Sequence, residues 1–173
     1  EKQFAQKAGL QPVPYFAVQQ ESDLLIAADE IGFPSILKSN MLGYDGKGQY
    51  VVNSIDELTK AYEDAGKVDC VLEKKIAIKC EVSVIVARNA GAEMASFPVA
   101  ENQHRNGILH MSIVPARVSD EVTQLARENA SILADAMSYI GILAVEFFVS
   151  EDDMLYFNEM APRPHNSGHY TKD

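Results

Sequence analysis

The chain has 173 residues, 47% hydrophobic and 23% charged, with Lys plus Arg at 15 against Asp plus Glu at 25 and a formal net charge of −10. That length suits about one domain or two tightly packed lobes, and it buries a core without disulfide or metal staples. The composition excludes disorder and fibrous architecture, no apolar run reaches the ~18 residues of a membrane span, and the acidity makes a nucleic-acid binder a poor fit.

A phosphorylated ligand would therefore be met locally, by a few cations, backbone amides or a divalent metal. Cys70 and Cys80 read as two reduced thiols of a cytoplasmic protein. No signal peptide opens the chain, and Glu1-Lys2-Gln3-Phe4 reads as the middle of a helix, so the expectation is a piece of a longer protein.

In chain order, Pro12 to Val18 reads as a strand entered through prolines. Ser22 is a candidate cap for a helix running to Ile31, with Gly32 and Pro34 as stop signals. Phe33 to Lys38 and Tyr50 to Val52 read as strands on either side of a glycine-rich stretch. Ser54-Ile-Asp-Glu57 has the capping-box spacing for a helix ending near Gly66, and Asp69 to Glu73 is the next strand.

Glu81 to Ala87 alternates as a strand with one wetter face, and short strands follow at Ala92–Pro98 and Ile108–Pro115. Ser119 starts the longest helix, whose apolar face is Val122, Ala126, Ala130, Leu133, Met137 and Ile140, and Gly141 ends it. Leu143–Val149 and Met154–Met160 read as a hairpin around Ser150–Asp153. The sum is an α+β fold of two lobes, 1–76 and 77–173, and two such lobes suggest a cleft.

Three stretches carry chemistry. Gly43-Tyr44-Asp45-Gly46-Lys47-Gly48-Gln49 lets the backbone approach an anion and turn its amides towards it, with Lys38 at the end of the preceding strand. A solvated hairpin loop is the plain alternative. Glu146 and Glu159 form the second: with Val149 facing Met154, Glu146 lies opposite Phe157 and Glu159 is its diagonal neighbour on the same face. Two carboxylates among apolar neighbours repel unless a cation sits between them, and hard oxygen ligands suit Mg²⁺. The third is Ala161-Pro-Arg163-Pro-His165-Asn166-Ser167-Gly168-His169-Tyr170-Thr171, too dense in donors for a mere connector.

Together with Glu73, Glu81 and Glu101-Asn-Gln-His104, these motifs resemble the ATP-grasp domain of the 5-(carboxyamino)imidazole ribonucleotide synthetase family, ATP-dependent ligases of purine biosynthesis. The resemblance covers nearly the whole chain, and Asn166-Ser167 sets it apart from the formate-using transformylase, whose ending is of the Arg-Pro-His-Asp-Thr-Gly type. It implies an ATP-grasp fold with a nucleotide cleft, and ATP and Mg²⁺ as the small-molecule requirements.

By that resemblance Lys38 contacts the phosphates and Gly43–Gln49 closes over them. Glu73, Lys74, Lys75 and Ile76 form a hinge whose backbone reads adenine, and Glu81 takes the ribose hydroxyls. His104 and Asn158 contact nucleotide, and Glu146 and Glu159 hold Mg²⁺. Arg163, His165, Asn166, Ser167 and His169 face bicarbonate, the acyl phosphate and aminoimidazole ribonucleotide, with Arg163 and Lys38 as the catalytic cations. The departure from the wider superfamily is Ala161, where many members carry an Asn ligand. The implied protein is a cytoplasmic homodimer with flanking domains, without which this piece is inactive. The ending near Asp173, with its glycine and polar side chains, is expected to need a partner surface to hold it.

Overall fold

The computed structural model describes residues 1–39, 48–105 and 107–172, the side chain of Lys172 excepted. Residues 43–47 of the glycine-rich loop lie outside the described residues. The chain divides into two compact units, one built on Val13–Ile76 and the other on Glu1–Pro12 with Ala77–Arg105 and Leu109–Asp173. The break after Ile76 accompanies one difference from the expected 1–76 lobe: the first twelve residues belong with the second unit. There the helix α1 (Lys2–Lys7) sends Phe4, Ala5 and Leu10 with it into that unit's core.

The Val13–Ile76 unit is a four-stranded antiparallel sheet with two helices. Its strands are β1 (Tyr15–Val18), β2 (Ser35–Ser39), β3 (Gln49–Val52) and β4 (Cys70–Lys74), in the order β1-β4-β2-β3. The helices α2 (Asp23–Ile31) and α3 (Ile55–Asp64) supply Leu24, Ala27, Leu58, Ala61 and Tyr62 to a core shared with Val18, Leu37, Val52 and Leu72. Helix α3 starts as its sequence dictates. Ser54 Oγ accepts from the Glu57 N–H at 3.2 Å, and Glu57 reaches back to the Asn53 N–H at 2.8 Å. Helix α2 does not use its expected cap. Ser22 is itself helical and makes no side-chain cap bond, while Asp23 accepts from the N–H groups of Gln19 and Gln20.

The second unit is a six-stranded sheet. Strands β5 (Ile78–Arg88), β6 (Met94–Ser96), β7 (Ala100–Arg105), β8 (Ile108–Ile113), β9 (Gly141–Ser150) and β10 (Leu155–Ala161) run in the order β10-β9-β5-β7-β8, with β6 also on β5. Helix α4 (Asp120–Ala136) and α1 pack on one face, against Val82, Val84 and Val86 of β5 and Leu143, Val145, Phe147 and Val149 of β9. Ser119 caps α4 by accepting from the Val122 N–H. The helix ends at Ala136 rather than at Gly141. Ser138 turns to φ +47°, its N–H returns to Asp135 O, and Gly141 already starts β9. Ile140 is consequently 62% exposed and leaves the apolar face to Ala134.

Strand β7 is a strand with no counterpart in the sequence reading. Its residues Ala-Glu-Asn-Gln-His-Arg show no apolar alternation, yet Ala100, Glu101 and Asn102 are all buried. Arg117 satisfies Glu101, with Nε at 3.0 Å, and Asn102 is held by Ser83 and Ser112 at 2.9 Å each. Burial of polar groups is tolerated here because every one of these bonds is made.

The register of the β9–β10 hairpin also differs. Val149 pairs with Leu155, one residue on from the expected Met154, so Phe157 faces Phe147 in the core with ring centroids 6.4 Å apart. A bulge between Phe157 and Glu159 then shifts the pairing by one, and Glu159 pairs with Glu146. Paired without the bulge, the same sequence would set Asn158 opposite Glu146 and turn Glu159 into the core.

Candidate active site

In the Val13–Ile76 unit the antiparallel register of β2 and β4 makes Lys38 and Glu73 diagonal neighbours. Their side chains meet, Lys38 Nζ lying 2.8 Å from Glu73 Oε2, and the glutamate is only 4% exposed. The residues after Glu73 are tied to their own unit. The Lys74 N–H donates to Pro14 O at 2.8 Å, the Lys75 N–H to Pro34 O at 3.1 Å, and Lys74 Nζ to Phe33 O at 3.2 Å. Two of the amides expected to read adenine are thus already engaged. Gly48 and Gln49 are the described end of the glycine-rich loop. Gly48 has φ +75°, a conformation that favours glycine, and a Cβ there would crowd Ser39 Oγ.

In the second unit, the sheet face turned away from α4 carries the polar residues. Period-two alternation puts Glu81, Ser83 and Ile85 of β5 on that face, because Val82, Val84 and Val86 fill the core. Ser83 pairs with both Ala100 and Glu146, and Glu81 pairs with Asn102, so strands β7, β5 and β9 set a polar row across the sheet. His104 Nδ1 stands 2.9 Å from Glu81 Oε2, and this contact raises the imidazole above its usual range against the effect of burial. The resemblance gave these two residues separate contacts with nucleotide, and the structure places them against each other.

Glu146 is buried at 7% exposure, whereas Glu159 directly across from it is exposed. Burial first, and the Glu159 charge second, raise the Glu146 carboxyl from 4.5 to about 7, while His104 and the Ser167 hydroxyl pull the other way. Among the described residues Glu146 Oε1 has no hydrogen-bond partner. The nearby His165 Nδ1, at 3.4 Å, is engaged by Ser167 Oγ at 2.9 Å. Glu146, Glu159 and His165 bring their ligand atoms within 4.8 Å of one another, as do Glu81, His104 and Glu146. A buried carboxylate oxygen without a donor, facing a second carboxylate, fits a hard divalent cation, and the two glutamates are the natural ligands. Asn158 is the extra residue of the bulge, and its carbonyl accepts from Lys2 Nζ.

The segment after β10 folds back onto this face as a 3-10 helix, Asn166–Lys172. Ser167 is fully buried, and a Cβ on Gly168 would lie 3.0 Å from Ile85 Cδ1, so glycine lets the backbone lie on the sheet. Tyr170 donates to Pro98 O and Tyr139 to Pro162 O. The unit thus meets this ending, for which a partner surface is expected from sequence, with contacts of its own. Arg163, Asn166 and His169 remain exposed. Arg163 Nη1 donates to Pro164 O and Asn166 Oδ1 accepts from the Ser167 N–H. Burial, then the charges of Arg163, His104 and His169, hold His165 below the usual imidazole range. Ser83, Ser112 and Tyr139 were not singled out from sequence. Ser83 had a usable signal, since it shares strand parity with Glu81; Tyr139 had none.

An ATP-grasp domain model matches residues 3–173. The N5-carboxyaminoimidazole ribonucleotide synthase of Bacillus subtilis is 46% identical over all 173 residues, which span 46% of that relative. The crystal structure of an N5-carboxyaminoimidazole ribonucleotide synthetase bound to ADP superposes with a TM-score of 0.93 at 49% identity, covering 99% of this chain and 46% of that one. The Aspergillus clavatus enzyme, in complex with ADP and 5-aminoimidazole ribonucleotide, gives 0.87 at 32% identity, over 99% of this chain and 45% of that one. The chain thus spans about half the length of the relatives it matches. With its two α+β units, its paired glutamates and its full-length match, the chain belongs to the ATP-grasp domain family.

Proposed function

We propose that the protein carrying this domain performs the ATP-dependent carboxylation of aminoimidazole ribonucleotide with bicarbonate. A bicarbonate oxygen attacks the γ-phosphorus of ATP and ADP leaves, giving carboxyphosphate. The amine nitrogen of the ribonucleotide then takes the carboxyl group, directly or as released carbon dioxide, and phosphate and a proton depart. The observation that carries the reading is the buried oxygen of Glu146, without a hydrogen-bond partner among the described residues and directly across from Glu159, on the face that also receives His165 and Ser167.

In this reading Glu146 and Glu159 hold Mg²⁺, which when bound offsets the charge of the transferring phosphoryl oxygens. Lys38 serves the phosphates, and the Glu73–Ile76 stretch serves the adenine. Because the Lys74 and Lys75 amides are engaged, the adenine donor falls to Ile76. Glu81 takes the ribose, and His104 holds Glu81 in place while contacting the nucleotide. Arg163 steers the anionic carboxyl group, and His165, kept neutral by burial, accepts or donates a hydrogen bond without repelling Arg163. Asn166 and His169 face the ribonucleotide.

The same reading takes the complete protein as a cytoplasmic homodimer, and the free cysteines Cys70 and Cys80 of this chain suit the cytoplasm. Among the described residues no helix is long and apolar enough to cross a membrane. The test is ATP turnover by the complete protein with bicarbonate and aminoimidazole ribonucleotide added in turn. Phosphate release that needs bicarbonate, and product that needs both, is the expected result. Turnover supported by formate and indifferent to bicarbonate would overturn the reading in favour of a formate-using ligase on the same scaffold.

A further inference from the structure

Resting on that functional reading, we infer that Tyr139 and Tyr170 are positioning residues: their hydroxyls pin the two ends of the segment that presents Arg163 and His165. Tyr139 follows α4, is packed against the core of its unit, and donates to Pro162 O at 2.8 Å. Tyr170, in the 3-10 helix, donates to Pro98 O at 2.7 Å and sets its ring edge-on to Phe97. Arg163 and His165 lie between these two anchors.

The segment needs such anchors because its own backbone offers few. Pro162 and Pro164 have no N–H, and among the described residues no N–H from 162 to 165 reaches a backbone carbonyl. The first backbone bond of the stretch is Gly168 N–H to His165 O at 3.0 Å. Beyond the tyrosines, the segment meets the sheet where His165 Nδ1 lies 3.4 Å from Glu146 Oε1, where the Ser167 hydroxyl reaches Glu146, and where Gly168 lies on Ile85. Among the described residues Arg163 Nη1 bonds to Pro164 O alone, inside the same segment, so its place follows wherever the segment goes. Fixing Pro162 O therefore fixes the entry direction of the arginine, and fixing residue 170 holds the exit of the turn that carries the histidine.

Both accepting carbonyls belong to exposed bonds, so water can replace a lost hydroxyl at little cost in stability. The phenyl rings keep their packing in Tyr139→Phe and Tyr170→Phe. A loss of aim at the reacting carboxyl group, by contrast, lets water compete for the acyl phosphate.

The experiment uses the complete protein with ATP, bicarbonate and aminoimidazole ribonucleotide, comparing wild type with Tyr139→Phe, Tyr170→Phe and the double variant. The expected result is a fall in carboxylation kcat of about ten-fold in Tyr139→Phe, an unchanged KM for ATP, and more than one phosphate released per product formed. Tyr170→Phe shows the same change in the same direction, and melting temperatures stay close to wild type. One phosphate per product in all three variants overturns the inference, and so does lost activity that tracks lost thermal stability at an unchanged ratio. If the wild type itself shows no bicarbonate-dependent turnover, the functional reading fails first and takes this one with it. Coupled wild-type turnover beside coupled variants removes the positioning role alone.

Discussion

The two units each bury a glutamate, and they treat it in opposite ways. In the Val13–Ile76 unit Glu73 is matched by Lys38 at 2.8 Å, so the charge is answered within the fold. In the second unit Glu146 is given a like charge across the hairpin and an oxygen with no donor among the described residues. A buried ion pair is close to self-sufficient, whereas a buried carboxylate facing another is stable only with something from outside. The difference separates a residue the fold can hold unaided from one that, in the proposed reading, receives a cation.

Removing the second pair gives the largest expected effect. Glu146→Ala and Glu159→Ala each lower Mg²⁺-dependent nucleotide affinity by about a hundred-fold or more. Calorimetry with and without the metal measures this, and unchanged metal dependence in both variants would break the comparison. Next comes stability without metal. Glu73→Gln removes the charge that Lys38 meets and costs about 1–3 kcal/mol. Glu146→Gln relieves repulsion and raises the melting temperature in metal-free buffer, a gain of about 1 kcal/mol. Opposite signs in denaturant titrations sharpen the contrast; a loss in both variants would erase it.

A third buried glutamate supplies an intermediate case. Arg117 holds Glu101 below the usual carboxylate range, against the effect of burial. A depressed carboxyl contributes stability above its unfolded value, and that contribution is lost as pH falls through its folded value. The gap in melting temperature between wild type and Arg117→Ala is therefore widest at neutral pH and closes in acid. A gap that does not change with pH would mean the pair contributes by packing alone. The smallest effect compares two caps: Ser54→Ala costs about 1 kcal/mol, and Ser22→Ala, which removes no cap bond, costs about 0.3 kcal/mol or less.

What the residues disclosed depended on whether local rules were in force. Ser54 and Ser119 begin helices because a hydroxyl three residues ahead of an orphan N–H is sufficient for the job. The alternation of β5 was legible because its core face is all valine. Strand β7 was not legible, since its buried residues are polar and their partners, Arg117, Ser83 and Ser112, are distant or unremarkable in sequence. The α1 segment read as helix, but only tertiary contacts assign it to the second unit. Of the candidate site, the Glu146 and Glu159 pair was visible as a same-face pair, but its register was not, because a bulge leaves no mark on composition.

That bulge also sets what must travel if the pair is moved elsewhere. Before it the odd-numbered residues of β10, Leu155 and Phe157, face the core; after it the even-numbered Met160 does. Paired without the bulge, the Phe-Asn-Glu spacing of β10 would keep Phe157 and Glu159 in one phase, and only one of the two could seat correctly. The transplantable unit is the three-residue phrase Phe157-Asn158-Glu159 with its partners Phe147 and Glu146, in which the middle residue works by being counted, whatever its side chain.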